Sequence, residues 1–426
     1  MLRSLRKAKA SLKNHDTSSR MVEKIRPVAE ARFENDEAVA AGSRGGSVVF
    51  LFLGELFLIP HLLPIALALA RRVAPPRITL LVITSIHEEI VSDALAYLGI
   101  KNVEIRRARG FRAMPSGCRE TPDLPHKIWL LALNLLKILR YDVAVVAERT
   151  SLWVPRLFSS GTAFVYNEHG AGPHANFAAK RNRYATRILM PGIGMAARVH
   201  EAGHRDAPIE IVGYIKRDYM RELAACAAPL PFDEARPTVV YVPHWLAHKS
   251  SWWEMGEQIL SYFARSTSYN LVLAPHIRLI EKDPDFDRKV RPYLDCANIH
   301  VDSTSFKLVD QSYTNAADIY LGDGSSQAVE YAEHPRPIVF LNPHGIDWRS
   351  DLRFGHWVMG DVVDHIDHLD ATLGRALARF PSFSAIQTGY VAHMMGSDDR
   401  KSSKRAADVV HAVLGGRVVH GVRRPL

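Results

Sequence analysis

The chain has 426 residues, 47% of them hydrophobic and 23% charged, which is the composition of an ordinary globular protein. This length exceeds one ordinary hydrophobic core and predicts two domains. The three cysteines, Cys118, Cys226 and Cys296, are widely spaced and form no CxxC pair. Their spacing argues against a disulfide framework or a zinc site and favours a reducing compartment.

The formal net charge of +9 is concentrated at the start of the chain. Residues 1–32 hold nine Lys and Arg against three Asp and Glu, a net +6, which leaves +3 for residues 33–426. A nucleic-acid enzyme spreads positive charge over its folded surface, so we expect no nucleic-acid partner. Residues 1–44 are interpreted as a basic arm without the apolar stretch of a signal peptide. A short amphipathic helix on an anionic membrane surface and a solvated leader are both open for this arm.

Residues 47–70 are almost wholly apolar and nearly long enough to cross a bilayer. Gly54, Glu55, Pro60, His61 and Pro64 interrupt the run, and a charged residue at the centre of a bilayer is costly. We interpret the run as a buried strand, a loop and a helix, with a transmembrane helix as the alternative.

From residue 45 onward, short β-branched runs alternate with helical segments, which is typical of parallel sheets covered by helices on both faces. In the first half, the predicted strands are Ser47–Leu53, Arg77–Ile83, Val103–Arg106, Val143–Ala147, Thr162–Tyr166 and Ile209–Val212. The predicted helices of this half are Leu62–Arg72, Glu88–Leu98, Lys127–Leu139 and Asn176–Leu189.

Pro229, Pro231 and Pro237 mark a linker, and the alternation resumes after it. The predicted strands of the second half are Thr238–Val242, Asn270–Ala274, Ile299–Asp302, Ile319–Gly322 and Ile338–Leu341, with a helix near Trp252–Ser266. The segment Lys404–Leu414 has helical spacing and is expected to pack back across the hinge.

Ligands of doubly wound sheets bind at the carboxyl ends of the strands, so polar residues that follow a strand are candidates for a site. The strand ending at Gly322 is followed by Asp323, Gly324, Ser325 and Ser326 and then by a helix. Glycine lets the backbone approach a ligand, and serine hydroxyls with free helix N–H groups favour a phosphate. Glu330, one turn into this helix, is expected to accept hydrogen bonds from ribose hydroxyls. An exposed glutamate on a capped helix is the alternative.

His169 follows another strand in a loop with Gly170 and Gly172. An exposed imidazole that titrates near neutral pH is the usual general base for a hydroxyl. Glu168 and Gly170 complete the predicted acceptor loop, and an ordinary surface histidine is the alternative.

Two strands of the second half each end in Pro-His, at His244 and His276. Together with Lys249 and Arg278, this pair is placed to neutralise a diphosphate without a metal ion. No set of His, Asp and Glu in the chain argues for a bound metal ion, and no GxSxG, Walker A or GxGxxG pattern occurs. We therefore expect neither a metal nor a cofactor.

In order along the chain, these segments resemble the CDP-glycerol glycerophosphotransferase family, the teichoic-acid polymerases with a GT-B glycosyltransferase fold. The resemblance covers roughly residues 160–345. It rests on His169-Gly170, on Gly213, Arg217 and Asp218 in VGYIKRD, on Pro243-His244-Trp245, on Ala274-Pro275-His276 and on Asp323-Gly324-Ser325-Ser326. The resemblance implies that His169 acts as a base and that His276 and the two serines hold the donor phosphates.

The chain also departs from that family. Ala274 replaces an Arg, Gly324 a Tyr and His244 a Thr, and Asn167-Glu168 replace the usual residues before His-Gly. The segment LGDGSSQAVEYA is similar as well to the Asp-Ser-Gly-Gly…Glu stretch of non-hydrolysing UDP-GlcNAc 2-epimerases, which share the fold.

The predicted fold is α/β and GT-B-like, with two doubly wound Rossmann-like domains facing across a cleft. The predicted bounds are 1–44 for the arm, 45–215 for an acceptor domain, 216–237 for the linker, 238–385 for a nucleotide-donor domain and 386–426 for a C-terminal helical segment.

The predicted function is transfer of a glycerol-phosphate-like or sugar group from a nucleotide-diphosphate donor, CDP-glycerol or a nucleotide sugar, to an acceptor hydroxyl in cell-envelope polymer synthesis. The acceptor is an envelope polysaccharide or a lipid-linked molecule, met in the cytoplasm at the inner face of the membrane. The alternatives are a UDP-sugar glycosyltransferase, a nucleotide-sugar 2-epimerase and a non-catalytic GT-B-like binding protein. The predicted catalytic residues are His169 and His276, and the donor-binding residues are His244, Arg278, Asp323, Gly324, Ser325, Ser326 and Glu330.

Overall fold

The structure is a computed structural model that describes residues 46–115, 124–172, 180–204, 207–223, 230–397, 399 and 401–416. The predicted basic arm, Cys118 and Cys226 lie outside the described residues.

The first half of the chain forms a seven-stranded, fully parallel sheet. Its strands are β1 Ser47–Phe52, β2 Arg77–Thr84, β3 Val103–Arg112, β4 Val143–Val146, β5 Ala163–Asn167, β6 Arg187–Met190 and β7 Ile209–Ile211. Their order across the sheet is β3-β2-β1-β4-β5-β6-β7. Strand β1 lies in the interior of the sheet and is buried at all six positions, which explains why every residue after Ser47 is apolar. The helices of this half are α1 Ile59–Ala70, α2 Ser85–Tyr97, α3 Lys127–Ile138, α4 Trp153–Leu157, α5 Ile193–Glu201 and α6 Ile215–Leu223.

The second half forms a six-stranded, fully parallel sheet. Its strands are β8 Thr238–Val242, β9 Asn270–Leu273, β10 Ile299–Val301, β11 Ile319–Gly322, β12 Ile338–Leu341 and β13 Asp361–Val363, in the order β10-β9-β8-β11-β12-β13. Its helices are α7 Trp252–Arg265, α8 Leu279–Lys282, α9 Phe286–Val290, α10 Ser312–Ala316, α11 Ser326–Tyr331 and α12 Leu369–Arg379. Two longer helices end the described chain, α13 Pro381–Met395 and α14 Ser402–Leu414.

These two sheets confirm the predicted fold class, an α/β chain with two doubly wound halves. The apolar run 47–70 is strand β1 followed by helix α1, as the interrupted sequence predicted. In the described part of the chain, no helix combines the length and the apolar character that a membrane span needs.

The predicted helix Asn176–Leu189 is wrong in its described part. Residues 180–184 form a 3₁₀ turn, and Arg187–Met190 form β6, which pairs with β5 and β7. A short apolar run fits a buried strand or one side of a helix equally well, so periodicity alone does not separate them. Strand β13 was not predicted, because it begins with Asp361 and has only two apolar residues after it.

Helix α13 connects the two halves. The side-chain amide of Gln387 donates hydrogen bonds to the backbone oxygens of Arg336 and Met359 in the second half. Further along the same helix, Met394 lies against Gly192 and Gly194 in the first half. The helix runs through residue 385, where we predicted a boundary.

Helix α14 packs on α1 and α6, so the chain returns to the first half, as expected for Lys404–Leu414. Helix α6 occupies the start of the predicted linker 216–237, and its first turn is buried. The backbone bend before α6 depends on Gly213, whose φ is +92°. A β-carbon at this position would lie 2.3 Å from Ser402 Oγ in the first turn of α14.

We expect Gly213→Ala to destabilise the protein by roughly 2–4 kcal/mol, because it adds steric overlap to the strain of a positive φ. Gly99→Ala is the matched control: Gly99 has a φ of +65° and open space around a β-carbon. That control should lose about 1 kcal/mol, the backbone strain alone. Urea unfolding of both variants measures the difference, and equal losses would contradict the close packing of α14 at Gly213.

Candidate active site

The carboxyl edges of the two sheets meet, and the predicted site residues lie at this meeting point. A β-carbon added at Gly172 would lie 3.2 Å from the Cα of Ser326, and one added at Gly170 would lie 3.4 Å from Ser326 Oγ. At a second contact, Arg278 Nη2 donates to Glu55 Oε1 over 2.9 Å. The loop after β5 therefore touches the start of α11, and the loop after β9 touches the loop after β1.

His169 is half-buried, and a backbone contact fixes its tautomer. Its Nδ1 lies 2.8 Å from the backbone oxygen of Ala147. A carbonyl oxygen only accepts hydrogen bonds, so Nδ1 carries the proton and Nε2 keeps its lone pair. Burial lowers the pKa of His169 below its ordinary value, partly offset by the neighbouring Glu168 carboxylate. At neutral pH the ring is therefore neutral and has a free basic nitrogen.

His61 was not predicted as a site residue, because it lies within the apolar run 47–70. Its ring is buried, with its centroid 6.2 Å from that of His169 and 5.6 Å from that of Tyr214. Burial and the charge of Lys216 lower the pKa of His61 well below its ordinary value. Within the described part of the chain, Nδ1 of His61 has no hydrogen-bond partner. A neutral ring with an unused polar atom thus lies beside His169.

Glu168, the other member of the predicted acceptor loop, is buried and paired. Its Oε2 lies 2.5 Å from Nη2 of Arg149, which follows β4. This ion pair fixes the residue before His169 to the neighbouring strand end. The carboxylate of Glu168 is therefore a structural partner of Arg149 in this arrangement.

His244 and His276 follow the adjacent strands β8 and β9, with ring centroids 5.9 Å apart. In both loops the ring Nδ1 accepts a hydrogen bond from the backbone N–H two residues later, from Leu246 over 3.0 Å and from Arg278 over 3.2 Å. Each Nδ1 is therefore unprotonated, and each Nε2 carries the proton. Burial lowers the pKa of both rings to about 3. At neutral pH they offer N–H donors and no positive charge, so the predicted neutralisation of a diphosphate falls to the cationic side chains nearby.

Arg278 is such a cation, and aromatic rings surround it. Its guanidinium lies 5.4 Å from the ring centre of Trp245 and 5.9 Å from that of Phe57. Phe57 in turn lies 5.8 Å from the ring of His169, and Trp245 lies 6.1 Å from the ring of His276. These contacts bring both predicted catalytic histidines into one aromatic-lined space.

Asp323, directly after β11, contacts the loop after β8. It is fully buried, and its Oδ2 accepts hydrogen bonds from the backbone N–H groups of His244 over 2.8 Å and Ser251 over 3.0 Å. Burial raises the pKa of Asp323 to about 7. The carboxylate ties the end of β11 to the loop after β8, and in this way it positions His244.

Ser325 and Ser326 begin helix α11, with the buried Gly324 before them. Ser325 is the N-cap, and its hydroxyl accepts from the backbone N–H of Gln327 over 3.2 Å. Ser326 is half-buried and lies against Gly170 and Gly172, as described above. The first residues of α11 thus face the loop that carries His169.

Glu330 is buried and holds the two halves together. Its Oε2 accepts from Lys216 Nζ over 2.7 Å, and its Oε1 accepts from the hydroxyl of Tyr214. Tyr214 directly precedes α6, and Lys216 lies in its first turn. No sequence signal joins residues 114 positions apart, and neither Tyr214 nor Lys216 was predicted as a functional residue.

Solved structures with the same fold include two kinds of nucleotide-dependent enzyme. The wall teichoic acid polymerase TagF is 14% identical, covers 99% of this chain and 100% of its own, and has a TM-score of 0.60. The UDP-GlcNAc 2-epimerase from Neisseria meningitidis bound to UDP-GlcNAc is 13% identical, with 85% and 98% covered and a TM-score of 0.55. MnaA from S. aureus with UDP is 12% identical, with 87% and 97% covered and a TM-score of 0.55. At these low sequence identities, the structural similarity shows that this chain has the GT-B fold and shows no more than that.

No family model matches the chain, and no curated protein sequence matches it significantly.

We expect Lys216→Met to destabilise the protein by roughly 3–5 kcal/mol, because it leaves the buried Glu330 carboxylate without its cation. Adding Glu330→Gln should restore part of this loss, since the amide oxygen still accepts from Tyr214. Arg288→Met, which breaks an exposed pair with Asp285, is the control and should have little effect. Urea unfolding measures all variants, and additive losses in the double variant would show that the pair is not coupled.

Proposed function

We propose that the chain is a transferase that moves a glycerol-phosphate-like or sugar group from a nucleotide-diphosphate donor to an acceptor hydroxyl. One observation carries this proposal: the histidines of the two facing edges have opposite tautomers. His169 on the first edge offers a lone pair at Nε2, whereas His244 and His276 on the second edge offer Nε2–H donors. A base opposite a set of donors is what group transfer needs, because one edge removes a proton while the other stabilises a leaving group.

In this proposal the donor lies on the second edge. The Nε2–H groups of His244 and His276 donate to oxygens of the diphosphate, and the hydroxyls and backbone N–H groups at Ser325 and Ser326 hold others. Arg278 supplies positive charge as the leaving group becomes more negative. Glu330 receives the ribose hydroxyls, which requires it to release Tyr214 or Lys216.

The acceptor lies on the first edge. Its hydroxyl transfers a proton to Nε2 of His169 while its oxygen attacks the transferred group. For a CDP-glycerol donor, the new bond forms to the phosphorus next to glycerol, the P–O bond of the diphosphate bridge breaks, and CMP leaves with the electron pair. For a UDP-sugar, the new bond forms to the anomeric carbon and UDP leaves.

The solved structures of similar fold support a nucleotide ligand, since TagF was soaked with CDPG, MnaA is in complex with UDP and the 2-epimerase is bound to UDP-GlcNAc, but they favour neither reaction. The protein should therefore be incubated with CDP-glycerol and with UDP-GlcNAc. CMP release indicates phosphotransfer and UDP release indicates sugar transfer. An altered UDP-GlcNAc without release indicates epimerisation, and neither release nor alteration supports a binding protein.

Replacing Ser325 and Ser326 together by Ala should weaken donor binding by roughly 1–3 kcal/mol, the scale of lost charge-assisted hydrogen bonds. Ser382→Ala, on the exposed start of α13, is the control and should bind the donor like the wild type. Calorimetry with the donor that reacts measures both. Unchanged donor affinity in the double variant would show that this loop does not bind the donor phosphates.

His169→Ala should lower turnover by about 10²–10⁴-fold, the usual contribution of a positioned base, with little change in donor affinity. Only the neutral imidazole accepts a proton, so turnover should fall as the pH falls through the pKa of His169. Because burial lowers this pKa, the midpoint of the fall should lie below about 6.5, the ordinary value for histidine.

The comparison needs turnover from pH 4.5 to 8, together with melting temperatures, for the wild type, His169→Ala and the exposed-histidine control His411→Ala. A folded His169→Ala protein with wild-type turnover would end the assignment.

A further inference from the structure

Glu55, in the loop after β1, contacts a proposed donor-binding residue of the other half. Its Oε1 accepts from Nη2 of Arg278 over 2.9 Å. Arg278 follows β9 and lies beside the rings of Trp245 and Phe57. The cation that the proposed function assigns to the diphosphate is therefore occupied by a carboxylate of the protein itself.

This ion pair differs from the buried pair between the two halves. The side chains of Arg278 and Glu55 are 31% and 22% exposed, whereas those of Lys216 and Glu330 are 6% and 2% exposed. Breaking a buried pair is costly because each charge is left without water, whereas a partly exposed pair contributes little. Glu55 can therefore leave Arg278 while the buried pair still joins the halves.

A second cation lies close to the same carboxylate oxygen. Nζ of Lys127, the first residue of α3, is 3.8 Å from Oε1 of Glu55. Glu55 directly precedes a 3₁₀ turn, Leu56–Leu58, and its backbone oxygen accepts a hydrogen bond from the end of that turn, but its side chain caps no backbone group. Rotation of one side chain thus moves the carboxylate from Arg278 to Lys127 while the backbone of the loop stays in place.

A diphosphate and the Glu55 carboxylate compete for Arg278. Both are anions, and like charges held at one guanidinium repel each other. Without any anion, however, Arg278 would be a half-buried cation with no counter-charge, which is also unfavourable. An internal anion that gives way to an incoming one avoids both costs.

We propose that Glu55 occupies Arg278 in the empty site and that the donor diphosphate displaces it onto Lys127. Glu55 thereby keeps Arg278 in position until the donor binds, and it lowers the donor affinity by the free energy of the pair that must break. This inference rests on the proposed function, because the anion that enters is the diphosphate of the donor.

The exchange also reaches the loop of the candidate base. Lys127 already pairs with Glu148, which directly precedes Arg149. Arg149 in turn pairs with Glu168, the residue before His169. A second carboxylate on Lys127 therefore changes the ion pairs that lead to His169 when the donor binds on the opposite edge.

The test is calorimetry of the full chain with inorganic pyrophosphate, CDP and UDP, which share the diphosphate group. Glu55→Gln should bind all three about fivefold more tightly than the wild type, because no carboxylate then has to leave Arg278. Glu281→Gln is the matched control, since Glu281 is exposed, lies three residues after Arg278 and loses the same charge. Its affinity should stay within about twofold of the wild type, because water and salt screen exposed charges.

Two double variants separate this exchange from general repulsion. Glu55→Gln added to Arg278→Met should change the affinity by less than about twofold, because the carboxylate then has no cation to occupy. Lys127→Met alone should weaken binding about fivefold, because the displaced carboxylate is left without a cation. Lys127→Met added to Glu55→Gln should have little effect, whereas a lysine that contacts the diphosphate directly would lower the affinity in both backgrounds.

A gain in Glu55→Gln that requires Arg278 supports the exchange. Equal gains with and without Arg278 would overturn it and show that Glu55 acts only through its charge. Unchanged affinity in Glu55→Gln, with an unchanged melting temperature, would overturn it and make the pair a permanent structural contact. In both of these cases, diphosphate binding by the wild type leaves the proposed function standing. Binding of none of the three ligands by the wild type or by Glu55→Gln would overturn the exchange and the proposed function together.

Discussion

One buried ion pair, Lys216–Glu330, joins the two halves beside the candidate site. Two charges removed from water lose much of their hydration, and only close geometry and further hydrogen bonds compensate for that loss. Here both conditions are met: Nζ and Oε2 are 2.7 Å apart, and Tyr214 donates to the other carboxylate oxygen. Glu330 lies on α11, the helix that begins with Ser325 and Ser326, and Lys216 begins α6. The pair therefore fixes the start of α11 against the loop that carries His169.

Neighbouring contacts extend this pair into the rest of the fold. Arg217 follows Lys216, and its Nε donates over 3.1 Å to the carboxylate of Glu333, three residues after Glu330. Asp218 accepts from both the backbone N–H and the hydroxyl of Ser403, each over 2.7 Å, which anchors the start of α14. Three consecutive charged residues thus join the first half, the second half and the C-terminal helix. If Glu330 binds ribose as proposed, the donor and the domain contact compete for one carboxylate, so donor binding and domain separation are coupled.

The strands could be predicted from the sequence, whereas the contacts between distant segments of the chain could not, for a physical reason. A buried parallel strand is a local apolar run, so eleven strands were predicted. Strand β6 was interpreted as the end of a helix, since a short apolar run fits both, and β13 has only two apolar residues after Asp361. The residues that follow a strand are also visible in the local sequence, which is why His169, His244 and His276 could be predicted as candidates. The partner of Glu330 is a matter of packing between distant segments, and nothing local distinguishes an exposed glutamate from one that a lysine holds in the interior. The same holds for Asp323, which was predicted to bind the donor and whose contacts with the loop after β8 have no local sequence signal.

The tautomers of the histidines are only partly predictable from the local sequence. The side chain alone does not determine which ring nitrogen carries the proton; the nearest backbone group does. In both Pro-His loops the ring accepts from the N–H two residues later, so the repeated dipeptide produces the same turn and the same outward N–H donor twice. His169 follows no proline and meets the carbonyl of Ala147 on the neighbouring strand end instead, which gives it the opposite polarity. Repetition at two strand ends therefore encodes a pair of N–H donors, and the single loop that lacks it presents a ring whose lone pair is at Nε2.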